Sequence, residues 1–265
     1  MQSNSKIPNS SKGLVASSRG NTKMQTKPTT RTGVRINKYL ADNGLASRRE
    51  GDELIVAKKV FINGKPAKLG DMVQPTDNVE VKNRTAVPYQ YFLYNKPRGV
   101  VTVNAVRTTK MKEKEIKDLV RIPNGVVPVG RLDKESEGLL LLTNDRRVPR
   151  RLLEPQFDHE KEYEVTVDKS ITQTFLNALS RGVQLEEFRT KPAQVKWITN
   201  TSFRITLTEG KHHQVRRMCD KFGYSVRQLV RVRLLSFKID HVPENILQPL
   251  TPKQKESLLE QLGLK

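Results

Sequence analysis

Cysteine is almost absent: Cys219 is the single one among 265 residues. No internal disulfide can form, which suits a reducing, cytoplasmic compartment. Long apolar runs are missing as well. No segment approaches the roughly 18 apolar residues that span a bilayer, no strongly amphipathic basic helix stands out, and no secretory apolar region is visible near Met1. A membrane is therefore not an expected partner. Neither a P-loop nor a GxGxxG motif is present, so the usual nucleotide and dinucleotide signatures are missing and no cofactor is expected. His212, His213, Cys219 and His241 show no CxxC or HxxxH spacing, and adjacent histidines on a helix point about 100° apart, so no metal site is expected either. Acidic residues are scarce: 28 Asp and Glu stand against 48 Lys and Arg, a formal net charge of +20. A surplus of that size is the footprint of a polyanionic partner, nucleic acid first.

The shortage of acid is most extreme at the start. From Met1 to Arg35 there are seven Lys or Arg and no Asp or Glu. Apolar residues there are too sparse for the amphipathic helix of a transit peptide, and too sparse to offset the entropy of ordering. Residues 1–33 read as a disordered basic tail, either a simple solvated arm or one that adds nonspecific phosphate contacts. The length leaves room for one medium domain and one small one.

Order is expected from Arg35 onward. Ile36, Tyr39 and Leu40 share one helix face, and Gly44 supplies a left-handed stop. Ser47-Arg48-Arg49-Glu50 reads as a capping box opening a second helix, with Arg48 and Arg49 in its first turn. Cations there oppose the helix dipole, which makes sense if an anion is bound by the exposed N–H groups and both guanidiniums. Val60-Phe61-Ile62, then Asn63-Gly64, then a strand from Lys65 is a two-residue hairpin, and Val79–Val81 is a further strand. Thr85–Gln90 reads as a linker. These patterns, Arg-Ile-Asn-Lys-Tyr-Leu-Ala, Ala-Ser-Arg-Arg-Glu and Phe-Ile-Asn-Gly-Lys, resemble the S4 RNA-binding domain over residues 34–84. The resemblance implies recognition of structured RNA by shape and phosphates, with Arg35, Lys38, Arg48 and Arg49 as contacts.

Further on, Tyr91–Tyr94 is a strand candidate ended by Asn95-Lys96-Pro97-Arg98-Gly99, and Met111–Val120 reads as a charged helical excursion. The most informative stretch runs from Gly130 to Asp145. A charged turn, Arg131-Leu132-Asp133-Lys134-Glu135-Ser136-Glu137, is fixed to four leucines, Leu139–Leu142, closed by Thr-Asn-Asp. A short unbroken apolar run ended by turn residues fits a buried strand, so Asp133 is mounted on a loop beside a rigid element. Taken alone, Asp133 could equally be a turn aspartate bonding its own backbone. Arg146–Leu153 is strongly basic and could grip phosphates beside the site, with Pro149 expected to interrupt its helix. Lys161–Val167 alternates as a half-buried strand with Tyr163, Val165 and Val167 on one face. Ser170 is the expected cap of a helix stopped by Gly182, and strands at 195–198 and 203–207 flank an Asn200-Thr201 turn. Glu209-Gly210-Lys211-His212-His213-Gln214-Val215-Arg216-Arg217-Met218 opens a helix expected to reach about Phe222, and Arg227, Arg231 and Arg233 suggest a basic strand face. Thr251-Pro252-Lys253-Gln254 is a second capping box before a C-terminal helix.

Together, Gly-Arg-Leu-Asp, Gly-Leu-Leu-Leu-Leu-Thr-Asn-Asp, Lys-Glu-Tyr and Glu-Gly-Lys-His-His-Gln-Val-Arg-Arg-Met behind an S4 domain resemble the RsuA/RluB/RluE/RluF family of ribosomal RNA pseudouridine synthases. The resemblance covers roughly residues 35–258 and is specific only as a set. It implies an α+β protein: the small S4 domain, a linker at 85–90, and a catalytic domain over 91–265 with a mainly antiparallel central sheet. It implies isomerisation of a uridine in ribosomal RNA, the large-subunit 23S molecule first, by a monomer without a cofactor. By family position Asp133 is the catalytic carboxylate and Tyr163 packs on the target base. Arg216 is the cation near the carboxylate, or Arg217 if the register is one residue off. Arg131 holds RNA around the flipped base, and Lys96, Arg98, Lys211 and His213 add RNA contacts. A 16S or transfer RNA target, or a noncatalytic assembly factor keeping the fold, are the alternatives. One departure stands out: Arg146 occupies a position where the family pattern often has glycine.

Overall fold

A computed structural model describes residues 33–83, 87–103 and 113–264. The expected basic tail, apart from Gly33, and the first residues of the expected linker and of the 111–120 excursion lie outside the described residues.

At the N-terminal end, β1 (Val34–Arg35) leads into α1 (Ile36–Asp42) and α2 (Arg48–Val56). The capping box forms as the sequence requires: the Glu50 N–H donates to Ser47 Oγ at 3.2 Å, and the Ser47 N–H donates to the Glu50 carboxylate at 3.2 Å. Two N–H groups that no helical carbonyl can reach are thereby satisfied. β2 (Val60–Ile62) turns through Asn63 and Gly64 into β3 (Lys65–Pro66). Both turn residues have positive φ, 50° and 76°, the backbone a two-residue hairpin needs and that Asn and Gly tolerate best. β4 (Met72–Val73) pairs with β1, and β5 (Val79–Val81) with β2. Ile36, Leu40, Ile55, Val60 and Val73 bury themselves together in a small core.

The remainder is organised on one nine-stranded sheet: β6 (Tyr91–Lys96), β7 (Val127–Pro128), β8 (Glu137–Thr143), β9 (Lys161–Val167), β10 (Gln194–Thr199), β11 (Ser202–Leu207), β12 (Val226–Leu234), β13 (Phe237–Lys238) and β14 (Leu247–Pro249). Its main path is β10-β11-β9-β12-β8-β6-β14, with β13 on β12 and β7 on β8. Every pairing is antiparallel except β12 with β8. The four leucines occupy the middle of β8, each no more than 1% exposed. Alternation sends Leu139 and Leu141 into one apolar cluster and Leu140 and Leu142 into another, so both faces of this strand are covered and the run is continuous. Four helices pack around the sheet: α3 (Arg147–Leu153), α4 (Gln173–Ser180), α5 (Gln214–Asp220) and α6 (Pro252–Gln261). Phe175 and Leu179 of α4 and Val215 and Met218 of α5 join Val165, Phe203 and Ile205 of the strands in a third cluster.

Several local expectations change. Residues 113–120 hold only a single 3-10 turn at Ile116–Asp118 rather than a helix. α4 is capped by Thr172, whose Oγ1 accepts from the Phe175 N–H at 3.2 Å, and not by Ser170; Gly182 stops it at φ 81°. Pro149 does not interrupt α3, because it falls in the first turn, where its missing N–H would have had no helical partner. α5 starts later and ends earlier than expected, with His213 at its N-terminus in a left-handed conformation, φ 52°. The supposed basic face of β12 is broken by irregularities between Val226 and Gln228 and between Arg231 and Arg233. Each shifts the alternation by one, so Arg227 is exposed, Arg233 half-buried and Arg231 buried.

Candidate active site

The Gly130–Ser136 loop is held from below before any side chain of the site is considered. Thr102 grips both sides of Leu132: its Oγ1 donates to the Leu132 carbonyl at 2.6 Å and accepts from the Leu132 N–H at 3.1 Å. The Gly99 N–H donates to the Lys134 carbonyl at 2.8 Å, and the Ser136 N–H to the Asp133 carbonyl at 3.0 Å. Gly130 turns at φ 75°; Gly138, where the loop enters β8, has φ 105°. A Cβ on Gly138 would stand 2.5 Å from the Arg231 carbonyl oxygen, so only glycine allows β8 to pair with β12 here. Asp133 is thus carried by a loop with little freedom, its side chain 33% exposed.

Asp133 opens onto a cleft of about 270 Å³. One wall comes from the Arg131–Asp133 turn and Leu153; another from Glu209 to Val215; the floor is the sheet, with Lys161, Tyr163, Leu207, Leu229 and Arg231. Tyr163 reaches this cleft half-buried, as the alternation of β9 requires, and lies directly opposite Arg231 in the β9–β12 register. Arg131, Lys211 and His213 also line it, each exposed. Of the residues expected at the site, Asp133, Tyr163, Arg131, Lys211 and His213 are therefore brought together.

Arg216 reaches the loop that carries Asp133 through its backbone. Its guanidinium donates to the Glu135 carbonyl at 2.8 Å and to the Val226 carbonyl at 3.1 Å, so it ties the backbone of the Gly130–Ser136 loop to β12. Arg217, the alternative, pairs with Glu187 and lies over the Phe188 ring. Among the described residues the ion-pair contact of Asp133 is with His213, whose Nε2 lies 3.5 Å from Oδ1. The left-handed turn at His213 puts the imidazole there, a geometry that reading it as a helical residue could not anticipate.

Lys96 is a correction. It was expected along the RNA approach, yet it is fully buried, its Nζ donating to the carbonyls of Pro97 at 2.9 Å and Val100 at 2.7 Å. Burial pushes its pKa down to about 8. It holds the turn after β6 and faces no solvent. Arg98 remains exposed; it pairs with Glu135 at 2.9 Å and donates to the Arg227 carbonyl at 3.1 Å. The basic run after β8 is partly neutralised, since Arg147 makes two hydrogen bonds to buried Asp145, at 2.9 and 2.8 Å, and Arg150 pairs with Glu154. Arg35, Arg48 and Arg49 are exposed, and Lys38 is paired with Asp42 on the next turn.

Two features escaped sequence reasoning. His212 and His213 precede α5 rather than lying on it, so their rings stack with centroids 3.9 Å apart, and with Asp133 they bring three possible ligand atoms within 4.8 Å of one another. Histidine spacing along a helix does not reveal such a cluster, because its carboxylate comes from a distant loop. The second feature is the pair of cations in the floor, Lys161 and Arg231, each 5% exposed. Cys219, by contrast, is fully buried in an apolar cluster, and burial pushes its thiol up to about 12, which leaves it inert.

Known proteins resemble this chain over most of its length. Residues 90–221 match the family described as RNA pseudouridylate synthase, and residues 34–79 match the S4 domain. The chain is 42% identical over 224 residues to the dual-specificity RNA pseudouridine synthase RluF of Escherichia coli (strain K12), covering 82% of this chain and 76% of that protein. It is 34% identical over 233 residues to the ribosomal large subunit pseudouridine synthase B of Bacillus subtilis (strain 168), covering 84% of this chain and 95% of that one. A pseudouridylate synthase crystal structure superimposes with a TM-score of 0.62 at 27% identity, over 85% of this chain and 99% of that one. The S4 module, the synthase domain and these relatives together make the chain a member of the RsuA/RluB/RluE/RluF family of RNA pseudouridine synthases.

Proposed function

We propose that this enzyme isomerises one uridine of ribosomal RNA, in the 23S molecule, with Asp133 as the catalytic carboxylate. The observation that carries the reading is the position of Asp133: at the mouth of a cleft, on a loop clamped by Thr102, with Tyr163 on the same floor. The large-subunit target is supported by the name of the Bacillus subtilis relative. The dual specificity in the name of the Escherichia coli relative is the reason to score a second RNA class, transfer RNA or 16S, in the same assay.

The reaction is redox-neutral. The C1'–N1 bond breaks, the base turns, C1' bonds to C5, and the C5 hydrogen is exchanged for one on N1. The target base must leave its stack to reach the cleft, at a cost of a few kcal/mol. Asp133 then either attacks C1' or abstracts a sugar proton to form a glycal; ionisation is needed for both. His213 sits beside the carboxylate, its Nε2 3.5 Å from Oδ1, and Arg216 fixes the loop by its bond to the Glu135 carbonyl. Tyr163 supplies a face for the flipped base, and Arg131, Lys211 and Arg98 face the surrounding RNA. Residues 34–84 dock structured RNA, and the enzyme works as a cytoplasmic monomer. Deleting the gene, mapping pseudouridines in 23S, 16S and transfer RNA, and complementing with wild type or Asp133→Asn tests this. One 23S site should disappear and return only with wild type. Restoration by the Asn variant, or no lost site, defeats the assignment.

A further inference from the structure

The floor of the cleft contains an arrangement that folding alone does not favour. Lys161 and Arg231 are each 95% buried in the same cleft, on adjacent strands. Among the described residues no carboxylate forms an ion pair with either. Lys161 Nζ donates to the His159 carbonyl at 2.9 Å, and Arg231 Nε to the Leu139 carbonyl at 2.6 Å. Arg231 Nη2 is buried without any hydrogen-bond partner, and so is Ser136 Oγ, on the catalytic loop and lining the same cleft. The nearest buried acid on the wall, Glu209, is committed to the Lys191 N–H at 2.9 Å and Gln214 Nε2 at 2.8 Å. Two like charges buried on adjacent strands carry a desolvation penalty that one carbonyl hydrogen bond apiece offsets only in part. Burial first, and then the neighbouring Arg231, lower the Lys161 pKa to about 8. The floor of the cleft therefore presents donors and positive charge to a group that enters it.

We propose that Lys161 and Arg231 form an electrophilic hole for the uracil base, receiving its carbonyl oxygens and holding the negative charge that appears when the glycosidic bond breaks. This rests on the reading of Asp133 as the catalytic carboxylate. When C1'–N1 breaks, the bonding pair goes to N1 and spreads onto O2 and O4; when C5 bonds to C1', the C5 proton leaves and N1 ends protonated. Preorganised cations in a water-excluded pocket favour that charged stage over the neutral ground state. The same donors select the base. Uracil presents an acceptor at C4, where cytosine presents an N4 amino donor, and donors facing donors leave buried groups unpaired.

The test uses the full-length enzyme as wild type, Lys161→Met, Arg231→Met, Arg231→Lys and Asp133→Asn. Substrates are 23S, 16S and transfer RNA transcripts carrying tritium at uridine C5, and thermal unfolding is recorded in parallel. Both methionine variants should lose about 100-fold in kcat with KM within about threefold of wild type. They should unfold at the same or a higher temperature, because a buried charge compensated only in part is gone. Arg231→Lys, which keeps the charge, should recover at least part of the rate. The proposal is overturned if either methionine variant keeps kcat near wild type, or if loss of rate tracks a lowered unfolding temperature, the mark of a structural role. An active Asp133→Asn enzyme would instead remove the underlying assignment, so the two failures are distinguishable.

Discussion

The helical start of the chain and the large sheet handle positive charge in opposite ways. On the first region Arg35, Arg48 and Arg49 are exposed, and the helix carrying the latter two is stabilised independently by its capping box. In the sheet region Lys96, Lys161 and Arg231 are between 0 and 5% exposed and bonded to backbone carbonyls. Exposed cations suit RNA phosphates, where charge is cheap to solvate and the contact is sequence-independent. Buried cations are costly unless something compensates them: all three bond backbone carbonyls, Lys96 two of them, and Lys161 and Arg231 also open onto the cleft. In the function proposed above, charge on the first region adds affinity and charge in the second shapes a reaction.

That contrast can be broken at several points. The largest effect is expected from Gly138→Ala. Its Cβ would meet the Arg231 carbonyl oxygen at 2.5 Å and backbone nitrogen at 2.7 Å, at φ 105°. Denaturant unfolding should show a loss of about 3 kcal/mol or more, and activity should fall because β12 must shift at Arg231. Next comes the pH dependence of stability. Lys96 and Lys161 have folded pKa values of about 8 against an ordinary 10.5, so between those values the unfolded chain binds more protons and stability rises with pH. A Lys96→Met, Lys161→Met double variant should lose most of that rise, and an identical slope would contradict the burial of the two ammonium groups. Arg48→Glu with Arg49→Glu should weaken RNA binding about tenfold at physiological salt and flatten its salt dependence, with unfolding unchanged. Unchanged affinity would remove the phosphate role given to α2. The smallest effect is Ser47→Ala, which deletes the capping-box hydroxyl and should cost about 1 kcal/mol of stability while sparing kcat.

Much of this molecule was legible because its signals are local. Ser47 and Glu50 are one turn apart, Asn63 and Gly64 are adjacent, and Leu139–Leu142 needs only its own alternation to read as a doubly covered strand. The α+β class, the mainly antiparallel sheet and the family follow from such pieces in order. What failed was non-local or depended on backbone irregularity. Lys96 looked like an approach residue because a lysine in a Lys-Pro-Arg-Gly turn is normally solvated; only the carbonyls of Pro97 and Val100 make its burial tolerable. Arg231 was read as one of an alternating row, but an irregularity between Arg231 and Arg233 breaks that row, and no residue type announces it. His213 was read as a helical residue, and its left-handed φ aims it at Asp133 instead.

By itself the sequence determined where Asp133 would be mounted, since a charged turn tied to four leucines can fold stably only with the leucines inside. It also determined the capped helices, the hairpin and the excess of positive charge, each a consequence of neighbours along the chain. Only the tertiary structure decided which cations are buried and which groups surround Asp133. The pairing of Tyr163 with Arg231, the grip of Thr102 on Leu132 and the contact of His213 with Asp133 join segments far apart in sequence. Strand register and loop closure create those neighbours, and desolvation then determines what each charge can do.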